Sequence, residues 1–144
     1  VTATRLLGID HGSVRIGLAV SDPDRKIAFP LAIYRRRNLE ADAAYFVAVV
    51  QEQEIAQLVV GLPVHLSGEE GQKARESRAF GQWLHAATGL TVRFWDERFT
   101  TVQAESALWD AGLTHKKRKE RRDKVAAQML LQAYLDAGCP ESET

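Results

Sequence analysis

The sequence predicts an α/β domain: a mixed five-stranded sheet, three strands antiparallel and two more parallel to the first, with helices on both faces. Two apolar runs, Leu6 to Ile9 and Ile16 to Val20, flank the short turn His11-Gly12-Ser13, which is a hairpin signal. Leu58-Val59-Val60-Gly61-Leu62 is a continuous apolar run, the mark of a strand buried on both faces. From Asn38 onward strand-like runs alternate with helical periodicity, and right-handed crossovers place such strands parallel to the first, on its far side.

The elements follow in order. The first strand ends on Asp10, and Gly12 supplies the residue that a tight turn tolerates best. A buried carboxylate must be paired, hydrogen-bonded or bound to metal, so Asp10 either caps its own turn or serves a site. Ala28 to Tyr34 reads as a third strand, and its Pro30 argues for the sheet edge. Asn38 is a good N-cap for a helix with Leu39, Ala43, Phe46, Val47 and Val50 at helical spacing, ending near Glu54. After the fourth strand, Val64 to Gly71 is the longest candidate loop, a substrate lip or a plain connection. A second helix spans about Gln72 to Ala87, with Gly89 as its stop. Thr91 to Trp95 is the fifth strand, followed by Asp96-Glu97-Arg98. Thr100 and Gln103 fit a capping box that starts a third helix ending at Gly112. The last helix is expected from about Glu120 to Ala137, with Asp123 in its first turn, where an acid also suits the macrodipole.

The totals bound the class. A chain of 144 residues with 45% hydrophobic and 26% charged residues is expected to fold as one domain over residues 1–138, with 139–144 a disordered tail. No apolar run approaches the ~20 residues of a membrane span, and Val-Thr-Ala-Thr-Arg leads into the first strand without a signal-peptide core, so the expectation is a cytoplasmic protein with no membrane partner. A single cysteine, Cys139, forms no internal disulfide. Net charge is zero, yet His115 to Arg122 reads His-Lys-Lys-Arg-Lys-Glu-Arg-Arg and concentrates six of the nineteen Lys and Arg residues, as a phosphate-binding patch or a solvated loop.

Asp10 and the Asp96-Glu97 pair come from strand ends that point the same way, where ligands of open α/β sheets gather. With Asp123 they can form one carboxylate cluster. Clustered carboxylates repel unless a cation neutralises them, and oxygen ligands without a His or Cys group select Mg²⁺ or Mn²⁺. Such ions activate water against phosphodiesters. Strand alternation sends Asp96 and Glu97 to opposite faces, so one of them joins the cluster.

Gly8-Ile9-Asp10-His11-Gly12, Arg15-Ile16-Gly17, Ser21-Asp22-Pro23, Val60-Gly61-Leu62-Pro63, Asp96-Glu97-Arg98-Phe99-Thr100-Thr101 and Lys116-Lys117 leading to Asp123-Lys124-Val125 stand in an order and spacing that resemble the YqgF family, the Holliday-junction-resolvase and pre-16S rRNA nuclease proteins of bacteria, in the ribonuclease H-like superfamily. The resemblance implies a ribonuclease H-like fold and a hydrolase, an endonuclease or exonuclease of structured RNA or branched DNA that depends on Mg²⁺ or Mn²⁺. It implies that Asp10, Glu97 (or its neighbour Asp96) and Asp123 are the metal ligands. It further implies that Arg15, Arg98, Lys116, Lys117, Arg118, Lys119, Arg121 and Arg122 hold phosphates, that Thr100 and Thr101 cap a helix or touch the substrate backbone, and that Gly12 and Gly17 are structural. A junction resolvase needs paired active sites, so a homodimer is expected on that reading. His65 stands where the family more often carries an amide. His11 reads as a turn residue, and Trp83, Trp95 and Trp109 as core or interface. Two rivals remain: an ATP-binding hairpin of the sugar-kinase and actin type, against which the chain length speaks, and a non-catalytic nucleic-acid, ribosome or transcription-factor binding module with the same fold.

Overall fold

The computed structural model describes residues 3–99 and 114–141, the side chains at 99, 119–121 and 123 excepted. Its elements run β1 (Arg5–Asp10), β2 (Arg15–Ser21), β3 (Ala28–Arg35), α1 (Leu39–Glu52), β4 (Ile55–Leu62), α2 (Gln72–Thr88), β5 (Thr91–Asp96), a 3₁₀ turn (Glu97–Phe99) and α3 (His115–Asp136). The helix expected over residues 100–111 lies outside the described residues.

The strand order is β3-β2-β1-β4-β5, antiparallel through the first three and parallel from β1 to β4 to β5. Pro30 therefore sits on an edge strand, opposite a register irregularity between Leu18 and Ala19, where its missing N–H interrupts little. Gln132 and Gln128 of α3 reach over that edge, Gln132 accepting from the Ala28 amide at 2.8 Å and Gln128 donating to the Ala28 carbonyl at 3.2 Å. Occupied edge groups do not recruit another strand.

Alternation along each strand builds two cores. Leu7, Ile9, Leu58 and Val60 face α1 and α2 and pack with Phe46, Val49, Phe80 and Leu84. Leu6 and Val59 face α3 and pack with Ala127, Leu130, Leu131 and Tyr134. Helix α3 lies close to the sheet because β1 presents Gly8 there, where a Cβ would stand 2.7 Å from the Leu131 Cβ. Burying each large aliphatic or aromatic side chain contributes about 1.5–3 kcal/mol, so truncating Phe46, which joins α1 to α2 and the sheet, costs about 3–5 kcal/mol.

Helix limits follow the caps. The Asn38 side chain accepts from the Ala41 amide at 2.8 Å, and Gly89 ends α2 at φ 75°. Helix α3 departs from expectation. It begins at His115, capped by the Thr114 hydroxyl, which accepts from the Lys117 amide at 3.2 Å, so the basic run forms its first two turns instead of a preceding loop. Lys and Arg are good helix formers, and a capped start outweighs their mutual repulsion. Asp123 is consequently two turns inside α3, beyond the reach of a first-turn dipole effect. Past α3, Cys139 packs against the second core and the Tyr134 hydroxyl donates to the Pro140 carbonyl at 2.7 Å. No described helix is long and apolar enough to cross a membrane.

Candidate active site

The same alternation places the acids. On β1, Leu6 and Gly8 face α3, so Asp10 does too, and the next residue, His11, falls on the face of α1 and α2. On β5, Val92 and Phe94 pack with the first core and Trp95 with the second, so Asp96 lies on the α2 face. Glu97, first residue of the 3₁₀ turn, returns to the α3 face and meets Asp10.

Asp96 and Glu97 are adjacent in sequence and opposite in chemistry. Asp96 is 3% exposed, and Arg98 holds it through Nη2 at 2.6 Å, Nε at 2.9 and 3.1 Å and its own amide at 2.9 Å. Burial works to raise the Asp96 pKa, but these donors outweigh it and hold the carboxyl below the usual range. Arg98 Nη1 also donates to the Leu66 carbonyl at 3.2 Å, which ties the loop after β4 to the site. That loop is itself closed by a Val64–Glu70 bridge, and Glu70 takes two bonds from Arg78 at 2.6 and 2.7 Å.

Among the described residues, Glu97 has no such donor set. Burial first, then the charge of Asp10 and a hydrogen bond shared with it, push its pKa up to about 7, with Asp96 adding to the rise and Lys73 opposing it. Its carboxylate lies over Gly61 of β4, where a Cβ would stand 2.5 Å from Glu97 Oε1 and strike Leu130. Only a residue without a side chain admits both the acid and the helix. Gly17 stands across from Asp10 in the β1–β2 ladder. Gly12 lets the turn fold under Arg15, whose carbonyl oxygen a Cβ would strike, and Asp10, Gly12 and Arg15 line a hollow of about 280 Å³.

Asp123 occupies α3 one turn before Ala127, a residue of the second core, and its side chain is outside the described set. Among the described residues, no group of three or more His, Cys, Asp or Glu side chains is arranged to hold a metal. Lys116, Lys117, Arg118 and Arg122 are exposed on the first turns of α3, while the side chains of Lys119 and Arg121, and the whole of Thr100 and Thr101, lie outside the description. Lys73, in the first turn of α2, was not singled out from the sequence; nothing local marks it, and the β4–α2 crossover alone brings its charge within electrostatic range of Glu97. Burial first, then the charge of Arg36, lower the His11 pKa against an opposing pull from Glu76; Arg36 Nη1 lies 3.3 Å from Nε2, and because Arg has only donors, Nε2 is the acceptor of that contact.

The family model described as "RuvX: Holliday junction resolvase" matches residues 4–137. A protein of Rhodopirellula baltica named "Putative pre-16S rRNA nuclease" is 47% identical over 133 residues, covering 92% of this chain and 77% of that protein. One of the same name from Syntrophomonas wolfei is 42% identical, covering 93% and 95%. Among solved structures, Thermus thermophilus RuvC in complex with a Holliday junction substrate superposes with a TM-score of 0.58 at 18% identity over 94% of this chain and 96% of that one. The Fowlpox virus resolvase with its Holliday junction gives 0.58 at 10%, over 94% and 99%. These likenesses show the fold, the ribonuclease H-like sheet that the motifs imply. With a family model that spans all but the two ends and relatives at 42–47% identity over more than nine-tenths of this chain, the chain belongs to the RuvX family, which the motifs resemble under the name YqgF.

Proposed function

We propose that this chain is a divalent-metal-dependent nuclease that hydrolyses phosphodiester bonds of structured nucleic acid. The observation that carries this reading is the meeting of Asp10 and Glu97, two carboxyls sharing one hydrogen bond with the Glu97 pKa raised to about 7. Two carboxyls that raise each other's affinity for a proton form a site whose charge a cation would balance. The donor set suits Mg²⁺ or Mn²⁺: it is oxygen, and the neighbouring imidazole of His11 is turned to the other face. Asp10, Glu97 and, from α3, Asp123 would hold the ion. A hard cation bound there supplies Lewis-acid stabilisation of charge on phosphate oxygens and lowers the pKa of water.

The chain's own residues do the rest. Asp96 and Arg98 neutralise each other and position the turn that carries Glu97. The positive charge of Lys73 opposes the rise in the Glu97 pKa and offsets part of the negative charge. Arg15 lines the hollow beside Asp10, where a phosphate fits. Lys116, Lys117 and Arg118 occupy a helix N-terminus, where cations work against the macrodipole by a few tenths to about 1 kcal/mol each. That placement serves anion binding better than stability. These contacts address phosphates and position a substrate without reading its sequence.

The names of the relatives favour precursor ribosomal RNA, and the family description favours a DNA junction. The deciding experiment offers both, a four-way DNA junction and a structured ribosomal-precursor RNA, to wild type and Asp10→Asn with Mg²⁺, Mn²⁺ or chelator. Metal-dependent cutting of one substrate that Asp10→Asn abolishes supports the reading and selects the substrate. Equal binding of nucleic acid by both proteins with no cutting in any condition replaces it with a binding module.

A further inference from the structure

On the opposite face of the sheet from the carboxylates, a groove of about 400 Å³ opens between the β1–β2 turn, the start of α1 and the exposed side of α2. The phosphodiester chemistry leaves it unused. Its frame is aromatic and rigid. Phe80, 6% exposed, is packed by the His11 ring at 4.5 Å, by the Trp83 ring at 5.5 Å and 26°, and by the Arg36 guanidinium at 5.2 Å from its centroid. Trp83 is half-buried and turns part of its indole to the groove, while Ser13, Arg36 and Glu76 add hydroxyl, donor and acceptor groups around the rim. A flat apolar wall bordered by both donors and acceptors matches a planar heteroaromatic ring with polar edges. His11 and Ser13 also line the hollow that contains Asp10, so the two cavities adjoin through the turn.

We propose that this groove receives one unstacked nucleobase of the nucleic acid whose backbone lies in the Asp10 hollow, the base resting on Trp83 with its polar edge toward Arg36 and Glu76. This rests on the nucleic-acid reading of the carboxylate site. It also accounts for the half-buried indole of Trp83, which packs on the first core and, among the described residues, also lines the groove. A base is already free in a single strand, loop or junction centre, so extrusion from a duplex is not required.

The test uses the Asp10→Asn chain with Mg²⁺, a short single strand of mixed sequence, and a fully abasic strand with the same number of phosphates. The base-bearing strand should bind about tenfold more tightly, within the range of one stacked base. Ala79→Trp, which fills the groove from an exposed position on α2, should remove that advantage and leave abasic binding unchanged. Trp83→Leu should act in the same direction and covers the case in which Ala79→Trp misfolds. With 5-fluorotryptophan labelling, the Trp83 resonance should move with the base-bearing strand alone. Equal affinity for the two strands, or a base preference that survives both substitutions with the Trp83 resonance unmoved, overturns the groove while leaving the nuclease reading intact. Failure to bind either strand overturns both.

Discussion

Asp42 is a buried carboxylate and Asp10 and Glu97 are half-buried ones, and their surroundings treat them in opposite ways. Asp42, 1% exposed in the first turn of α1, accepts from the Tyr34 hydroxyl at 2.5 Å, the Arg37 amide at 3.0 Å and Arg36 Nε at 3.4 Å. Burial would raise its pKa, but the three donors overcome that and hold it below the usual range. Glu97 is given a second carboxylate where Asp42 is given donors, and its pKa rises to about 7. A satisfied acid stabilises the fold that surrounds it. An acid left facing another acid weakens its fold until something positive arrives, and proteins keep such arrangements where function requires them.

Asp10→Asn should separate these roles most widely. On the proposed reading Asp10 would hold a Lewis-acidic cation, and its removal would forfeit several kcal/mol of transition-state stabilisation, so cleavage should fall by at least about 100-fold in a steady-state assay. Urea unfolding without metal should show unchanged or increased stability, because the repulsion on Glu97 is relieved. A loss of stability comparable to the loss of activity would make Asp10 a structural acid like Asp42 and dissolve the contrast.

The reverse substitution tests the other side. Asp42→Ala leaves the Tyr34 hydroxyl and the Arg37 amide without their acceptor and Arg36 without its counter-ion, and should cost about 3 kcal/mol in urea unfolding. Cleavage by the fraction that remains folded should stay within a few-fold of wild type. Gly61→Ala lies between the two. Its methyl group strikes Leu130 and displaces the Glu97 carboxylate, so overpacking should cost about 1–3 kcal/mol while activity falls further than that loss of stability explains, read by comparing cleavage with thermal melts.

Part of this was legible in the chain. The hairpin, the edge position of Pro30, the Asn38 cap and the Gly89 stop are local signals, and each matches its element. Alternation foretold that Asp96 and Glu97 part company, but which one meets Asp10 depends on where β5 ends and on which face α3 covers, both set by packing. The start of α3 was misplaced because a run of Lys and Arg looks the same in a loop and on an exposed helical turn until the Thr114 cap is seen. The groove beside His11 had no sequence signal. His11, Arg36 and the α2 pair Glu76 and Trp83 lie on three separate segments that only the crossing of α1 and α2 over the sheet brings together.

Acid titration sharpens the comparison by a smaller effect. Because the folded pKa of Asp42 is depressed, its stabilising contribution is present above the ordinary aspartate value of about 3.9 and is lost as pH falls through the folded value. In that window the unfolded chain binds a proton that the folded chain refuses, so stability drops with falling pH. Asp42→Asn, which keeps one acceptor oxygen and removes the titration, should be less stable than wild type at neutral pH and should close part of that gap as the pH is lowered below about 4. Urea midpoints across that range, at constant ionic strength, read the slope directly. Parallel curves would mean that the Tyr34, Arg36 and Arg37 donors do not distinguish the charged from the neutral acid, and that burial alone distinguishes Asp42 from the pair at the end of β1.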